Sequence, residues 1–473
     1  MQDDAATAGT AVERDAGGDP GSGAMDAVER DGGAGRVSAP AATTAVPADP
    51  ARPGAMRRLG LDALAYPAFR TFFGATLVSN TASFVLSAGL SWTVLVVSGS
   101  AASVGFVGFL YALPFALFTL HAGLLTDRFG ARRMVAVATF GGGLLTLLLG
   151  ALVLALTLPV LAIGLLAFSI GCLSVIGSPA GISIVNDLVP RAAMPSAVAL
   201  IFLNVNAGRI VGGLVAGAML AAFPSGITLL LAGVMMVPAG IAIWRLRIRE
   251  AEVVAHGSRA MFRPLIEAGA YARRQPVLAT VLLLAIVPGA IGLSFNYLLP
   301  VAAHQLDYGS DGLGLWIASA GVGGLVAGYL GARLMRLLGH GRAVLTGVTM
   351  IALGMIAFGL VSGLYAGAAA MVVAGAGFAV YASSSLSLVQ ALASAEYRGR
   401  LTAVFSLLYW GLMPIGALIA GAMAQAIGAQ AAFVVSGTAV AIAGLTALVI
   451  RPALASARVL PDDATRATAT ASA

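Results

Sequence analysis

The chain has 473 residues, of which 59% are hydrophobic and 10% are charged, and its mean hydropathy is +0.94. In a soluble domain about a quarter of the residues are charged, because polar surface has to cover the apolar core. The composition therefore excludes a water-soluble globular protein and predicts helices surrounded by lipid. The net charge of +7 does not indicate nucleic acid binding, since the arginines lie at the edges of apolar stretches and form no basic run.

The first 57 residues are rich in Gly, Ala, Asp and Pro and contain almost no large apolar residues. They cannot bury enough apolar surface to fold, so we expect a disordered tail. No basic start is followed closely by an apolar run before the region of Phe69, so we expect no cleavable signal. The first membrane span is then its own insertion signal.

Six long apolar stretches remain when every Asp, Glu and Arg is marked. Each covers roughly 50 to 58 residues, whereas one membrane helix needs about 20 and tolerates about 25. Each stretch therefore predicts two helices joined by a short turn, which gives twelve in all. The apolar runs are continuous and do not alternate as barrel strands do. The stretches are 71–126, 134–186, 192–244, 275–332, 343–395 and 401–450.

Turn residues lie near the middle of every stretch, and none of these turns contains an arginine. The turns are Ser98–Ser100, Leu158–Pro159, Pro224–Gly226, Asp307–Asp311, Ser362–Gly363 and Gly428. The flanking arginines all lie between the stretches, so one end of the predicted bundle is the arginine end and the other is the arginine-free end. The positive-inside rule predicts that the arginine end and both termini are cytoplasmic.

The longest internal connection joins the sixth and seventh predicted helices and divides the chain into two halves. Gly130 and Gly339 lie 339 − 130 = 209 residues apart, and Arg191 and Arg398 lie 398 − 191 = 207 residues apart. This offset indicates tandem duplication, and transporters built this way hold their site between the halves near the midplane. We expect disordered tails at 1–57 and 453–473, six-helix bundles at 58–247 and 276–452, and a linker at 248–275 that contains an amphipathic helix.

The connection between the second and third predicted helices carries the strongest motif. It reads Gly123-Leu-Leu-Thr-Asp127-Arg128-Phe-Gly130-Ala-Arg132-Arg133 and resembles the loop motif of the major facilitator superfamily. The resemblance covers nearly all of residues 69–451 and implies an all-α, twelve-helix transporter fold. In that superfamily the loop is thought to latch helix 2 against helix 11, so Asp127 is expected to face the start of helix 11 near Leu401. The alternative is an ordinary basic loop that only sets orientation.

A glycine-rich motif lies in the fifth predicted helix. Gly208-Arg209-Ile-Val-Gly212-Gly213-Leu-Val-Ala-Gly217 is similar to the antiporter motif of drug exporters. The alternative is generic packing of small residues between membrane helices. Two segments before this motif resemble the exporter branch that includes the enterobactin exporter. They are Ser178-Pro179-Ala180 and Asp187-Leu-Val-Pro190-Arg191. These resemblances favour export over uptake.

Arg209 is the only charged residue deep inside a predicted span. A buried arginine costs at least about 2.5 to 3.5 kcal/mol, so it normally faces a water-filled cavity or a partner. No Asp or Glu lies in any predicted span core. Its partners would be carbonyls, Asn204, Asn206, water or an anionic part of the substrate, and a structural hydrogen-bonding role is the alternative.

Other polar residues inside the spans are candidates for lining the path. Together they predict a large, mostly apolar cavity with a few hydrogen-bonding points, which suits amphipathic or aromatic cargo. For any one of them, helix packing is the alternative explanation. Besides Arg209, the candidates are Asn80, Asn204, Asn206, Asn296, Tyr297 and Gln390.

We therefore expect a monomeric exporter of drugs, siderophores or secondary metabolites in the plasma membrane lipid bilayer, working by alternating access. Proton antiport is implied by the resemblance alone, because the titratable groups all lie near an interface. These groups are His121, Asp127, His304, Asp307 and Asp311. An uptake permease and a non-transporting membrane sensor are the alternatives. An enzyme, a cofactor and a metal site are not expected, since the chain has four histidines, one cysteine and no HExxH spacing.

Overall fold

The computed structural model describes residues 61–247, 263–292 and 295–457. Within these ranges twelve helices are long and apolar enough to cross a membrane, which confirms the predicted number. They are α1 (Pro67–Ser98), α2 (Ala101–Phe129), α3 (Ala131–Ala155), α4 (Val160–Ser183), α5 (Met194–Ala222), α6 (Ser225–Trp244), α7 (Pro276–Gln305), α8 (Gly309–Leu338), α9 (His340–Leu360), α10 (Leu364–Leu392), α11 (Arg398–Ile427) and α12 (Ala429–Ile450).

All six predicted hairpin turns are confirmed, and each ends one helix and starts the next within a few residues. Gly99 and Gly428 have φ values of 61° and 82°, a left-handed conformation that glycine adopts without a steric penalty. Pro159 and Pro224 directly precede α4 and α6, where a missing backbone N–H breaks no helical hydrogen bond. The turn chemistry therefore fixes where each helix pair reverses.

The packing inside the two halves follows one plan. In the first half α2 packs on α4 and α3 packs on α6; in the second half α8 packs on α10 and α9 packs on α12. These pairs correspond under the repeat of about 207 to 209 residues found in the sequence. Contacts between the halves run mainly along α5 with α8 and along α2 with α11.

Two of the membrane helices are interrupted. α7 consists of an α-helix over Pro276–Leu284, a π-helical turn over Pro288–Gly292 and a second α-helix over Phe295–Gln305. α11 is broken between Trp410 and Met413, just before Pro414. Pro288 and Pro414 each lack a backbone donor and crowd the preceding turn, which accounts for the breaks. π-Helical turns are frequent at functional sites.

A linker helix at Arg263–Arg273 precedes α7, and residues 248–262 of the predicted linker lie outside the described ranges. Tyr271 stacks on Tyr397 with ring centroids 4.4 Å apart, and its hydroxyl oxygen accepts a hydrogen bond from the Ser394 N–H at 3.3 Å. The hydrogen bond to Ser394 lowers the pKa of Tyr271. The linker helix is therefore held on the connection between α10 and α11.

The carboxyl-terminal segment differs from the expectation of a disordered tail beginning at 453. Residues Ala453–Ser456 form a short helix, and Leu454 is fully buried. The Gly341 N–H donates to the Ala457 carbonyl at 3.1 Å, so these residues pack against the start of α9. The predicted tail at 1–57 and the residues beyond 457 lie outside the described ranges.

Candidate substrate site between the two halves

The two halves touch closely at the arginine-free end. A Cβ atom placed on Gly421 of α11 would lie 2.6 Å from the Cα of Gly105 on α2, and one on Gly217 of α5 would lie 3.0 Å from the Cα of Gly314 on α8. Any side chain at these positions would push the backbones apart. We call Gly105, Gly217, Gly314 and Gly421 the glycine seam, and it closes the arginine-free end.

A polar contact reinforces the glycine seam. The Oε1 atom of Gln425 on α11 accepts hydrogen bonds from the Ala101 N–H at 2.9 Å and from the Ser100 hydroxyl at 3.2 Å. Gln425, which belongs to the second half, thereby satisfies a backbone N–H at the start of α2 in the first half. Sequence reasoning missed this contact, because a glutamine near a turn does not reveal a partner more than 300 residues away.

The halves separate toward the arginine end. A Cβ atom placed on Gly123 of α2, on Gly328 or Gly331 of α8, or on Gly399 of α11 would meet no atom of a neighbouring helix within 4 Å. Below the level where Asn206 contacts Gly324, a cavity of about 520 Å³ opens between α5, α8 and α10. It is lined by residues that include Phe202, Leu203, Asn206, Gly324, Gly328 and Ser383.

Arg209 lies near the middle of α5, where the closed and open parts meet. Its guanidinium carbon is 5.0 Å from the centroid of the Phe84 ring on α1, a cation–π contact within the first half. The side chain is partly exposed, yet its Nε is buried and has no hydrogen-bond partner among the described residues. Every Asp and Glu of the described ranges lies in a connection, in the linker helix or at a helix end.

An aromatic group from the second half surrounds Tyr409. The Phe405 and Tyr381 rings both have centroids 5.8 Å from the Tyr409 ring, and Phe405 is nearly parallel to it at 10°. The Ser384 hydroxyl on α10 is buried without a partner among the described residues, and the Tyr381 and Ser385 hydroxyls have none beyond each other. Tyr409 lies directly before the break in α11.

The predicted asparagines of α1 and α5 are brought together by hydrogen bonds. Asn80 Nδ2 donates to Asn204 Oδ1 at 2.8 Å, and Asn204 Nδ2 donates to the Phe73 carbonyl at 2.8 Å and to the Thr76 hydroxyl at 3.1 Å. These bonds tie α5 to α1 within one half. Asn206 instead faces α8, and its Nδ2 donates to the Phe202 carbonyl at 2.9 Å.

The candidates of the second half are spread along the interface. Tyr297 is 6% exposed and its ring packs on Gly108 of α2, so it contacts the opposite half; the neighbouring Asn296 is half-buried. Gln390 is exposed and lies nine residues, or about 13 Å, along α10 from Tyr381. Its carbonyl accepts a hydrogen bond from Arg398 Nε at 3.0 Å. The structure therefore does not bring Gln390 to Arg209.

The loop motif between α2 and α3 contains one fixed contact and one free carboxylate. Arg132 Nη1 donates to the carbonyls of Trp244 and Leu246, both at 2.9 Å, and so caps the end of α6. Gly130 has a φ of 86° and forms the predicted turn. Asp127 is exposed and forms no hydrogen bond or ion pair within the described ranges. The expected contact of Asp127 with the start of α11 is therefore absent from the described part of this conformation. Arg128 and Arg133 of the same motif are also exposed.

The glycines of α5 face two neighbours. Gly208 and Gly212 pack on Asn80, Thr81 and Phe84 of α1, whereas Gly213 and Gly217 pack on Ser310 to Ala318 of α8. Small residues permit such close approach of membrane helices. One short segment of α5 thus serves both packing within a half and contact between halves.

Comparisons with known proteins identify the family of the chain. The family model described as transmembrane secretion effector matches residues 60–467. The staphyloferrin A transporter of Staphylococcus aureus is 24% identical over 270 residues, which cover 57% of this chain and 68% of that protein. The multidrug efflux pump Tap of Mycobacterium tuberculosis is 26% identical over 399 residues, which cover 81% of this chain and 93% of that protein.

Solved structures of transporters share the fold. A bacterial homolog of the lysosomal transporter Spinster aligns with a TM-score of 0.65 at 14% identity, covering 84% of this chain and 99% of that one. The nucleoside transporter NupG aligns with a TM-score of 0.65 at 12% identity, covering 81% and 98%. Because the family model matches most of its length, the chain belongs to the transmembrane secretion effector family of the major facilitator superfamily and is a membrane transporter, not an enzyme.

Proposed function

We propose that the chain exports small amphipathic molecules such as drugs, siderophores or secondary metabolites across the plasma membrane. The observation that carries this proposal is that the two halves are joined at the arginine-free end and separated by a cavity of about 520 Å³ toward the arginine end. With the arginine end in the cytoplasm, as the positive-inside rule predicts, this conformation receives cargo from the cytoplasm. The similarity to an efflux pump and a siderophore transporter supports export.

Alternating access requires a second conformation in which the arginine end closes. Gly123, Asp127 and Gly399 are free of close contacts here, so each has room to meet the opposite half. We propose that the loop motif then latches α2 to the start of α11. In this scheme 58–247 and 276–452 move as two bodies connected by the linker at 248–275, and one chain contains the complete site.

We propose that a proton gradient drives export. The described carboxylates and histidines lie away from the middle of α5, and Asp127 is exposed at the arginine end, where its surroundings would change if that end closed. Collapsing the gradient with an ionophore is expected to abolish concentrative export. Efflux that continues at its full rate would exclude proton coupling.

The export proposal is tested by expression in an efflux-deficient host with a panel of siderophores and antibiotics. Wild-type protein is expected to lower accumulation and raise tolerance for some compounds, and Arg209→Gln at the same membrane level is expected to remove the effect. Val234→Leu is a control, since Val234 is 57% exposed on α6. Higher accumulation would indicate an uptake permease, and binding without any flux would indicate a sensor.

A further inference from the structure

We infer that a groove between α7 and α12 binds an anionic phospholipid from the leaflet at the arginine end. Its acyl chain lies in the groove, and its phosphate lies against Arg274 and Arg451. The groove shares no lining residue with the cavity between the two halves. The inference therefore goes beyond the proposed transport of cargo and does not depend on it.

The groove has a volume of about 500 Å³ and mostly apolar walls. Leu283 of α7 is 64% exposed and Ile442 of α12 is 59% exposed, so the groove opens on the outer surface of the second half, which faces lipid. Small residues of α12 lie between these large side chains and leave a depression. Because its walls are apolar, an acyl chain fits it better than water does. The lining includes Leu283, Val287 and Ile291 of α7 and Ala443 and Ala447 of α12.

The length of the groove matches the thickness of one leaflet. It runs from Thr280 to Ile291 on α7 and from Ile450 to Ala439 on the antiparallel α12. Because 291 − 280 = 11 and 450 − 439 = 11, it extends about 16 Å along each helix. The hydrocarbon core of a bilayer is about 30 Å thick, so one leaflet contributes about 15 Å. The groove therefore reaches from the arginine end to the middle of the membrane, where the π-helical turn Pro288–Gly292 interrupts α7.

Two arginines lie at the outer end of the groove. Arg451 directly follows Ile450, and Arg274 lies just before the first α-helix of α7, Pro276–Leu284. This α-helix packs on Ala453–Ser456 as well as on α12, so the two arginines lie at the same corner of the bundle.

The charge of these arginines is available to a ligand. Both side chains are exposed, and neither guanidinium forms an ion pair or a hydrogen bond within the described ranges. Residues 273–277 and 447–457 contain no Asp or Glu that could neutralise it. Basic residues between membrane helices at the cytoplasmic surface bind anionic lipid headgroups. An apolar groove of one leaflet's length with two arginines at its outer end therefore fits an anionic phospholipid.

The test measures binding of two phospholipids to delipidated full-length protein in detergent by native mass spectrometry. Dioleoyl phosphatidylglycerol and dioleoyl phosphatidylcholine have the same chains and differ in net charge. We expect the first molecule of phosphatidylglycerol to bind about tenfold more tightly than the first of phosphatidylcholine. Arg274→Gln combined with Arg451→Gln should reduce this preference below about twofold, whereas Lys at both positions should retain most of it, since it keeps the charge.

Two control variants locate the site. Arg245 and Arg247 are exposed at the arginine end of α6, in the first half, so Gln at both positions removes the same charge elsewhere and should leave the preference unchanged. Ala443→Phe fills the groove and should weaken both lipids about fivefold. Ala151→Phe, at an exposed position of α3, should weaken neither.

Several outcomes would overturn the inference. Equal affinity of wild-type protein for the two lipids would do so even if a variant did not fold. A preference that survives Gln at positions 274 and 451, or that Gln at positions 245 and 247 reduces equally, would assign it to the general charge of the arginine end. Unaltered binding to Ala443→Phe would place the acyl chain outside the groove. Displacement of phosphatidylglycerol by an equal concentration of glycerol 3-phosphate would indicate a site for a free anion and not for a lipid.

Discussion

The two ends of the helix bundle use the same residue type in opposite ways. At the arginine-free end Gly105 and Gly421 bring two backbones into contact, and Gln425 adds a hydrogen bond between the halves. At the arginine end Gly123 and Gly399, on the same pair of helices, have no neighbour within 4 Å. The comparison supports the proposal that each end closes in turn, since α2 and α11 carry glycine at both ends.

Such contacts suit a movement that has to reverse. Helices in lipid are not driven together by the hydrophobic effect, and polar contacts between them contribute only about 0.6 kcal/mol on average. The glycine seam therefore combines close packing with a few weak hydrogen bonds. A closed end of this kind can separate without losing the packing inside each half.

The largest effect is expected when a side chain is placed at either end of α2 and α11. Gly421→Leu should prevent the arginine-free end from closing, and Gly123→Leu should prevent the arginine end from closing. Overpacking costs about 1 to 3 kcal/mol, so export should fall about fivefold or more in both variants. Export at matched membrane levels measures this, and the lipid-facing Val234→Leu is again the control.

Cysteine labelling separates the two variants. Ser310 is 6% exposed beneath Gly217, so Ser310→Cys in a Cys172→Ser background reports whether the glycine seam is open. Labelling by an impermeant maleimide should rise strongly with Gly421→Leu and fall with Gly123→Leu. The same change in both variants would contradict the assignment of the two ends to two conformations.

A second, smaller effect concerns the interior of one half. Asn204→Leu removes the hydrogen bonds that tie α5 to α1 and leaves the Asn80 amide without its partner. Loss of a buried hydrogen-bonded group costs about 1 to 3 kcal/mol. The thermal unfolding temperature in detergent should fall, while labelling of Ser310→Cys stays the same. If labelling changed while the unfolding temperature did not, Asn204 would act in the transport movement and not in packing.

The sequence predicted the fold well because its signals are local. Charge spacing predicts twelve helices, turn residues predict the six reversals, and Pro288 and Pro414 lie at the breaks of α7 and α11. Arg209 could be singled out because one charge in an apolar span is conspicuous. The partners of Gly421, Gln425 and Asn204 could not be predicted, since each lies more than 120 residues away and depends on how helices cross. Local patterns also do not reveal which end of the bundle is closed and which is open.

Removing the polar contact of the glycine seam should have a modest effect. Gln425→Leu loses the hydrogen bonds to Ser100 and Ala101 but leaves the glycine contacts intact. A loss of about 0.6 to 1.7 kcal/mol should speed labelling of Ser310→Cys by a factor of about 3 to 18. Gln430→Leu is the matched control, because Gln430 Nε2 donates to the Val361 carbonyl inside one half. Equal acceleration by both variants would refute a specific role of Gln425.

The smallest effect is expected at the linker helix, which packs on the start of α7 and on the first part of α11. Tyr271→Phe keeps the ring that stacks on Tyr397 and removes the hydroxyl that accepts from the Ser394 N–H. Because this site is solvent-accessible, the change should stay within about 0.5 kcal/mol, and hydrogen exchange of residues 263–273 should be nearly unaltered. Tyr271→Leu removes the stacked ring as well, so exchange should become several-fold faster. If Tyr271→Phe alone released the linker helix, the hydrogen bond and not the ring stack would hold it on the connection between α10 and α11.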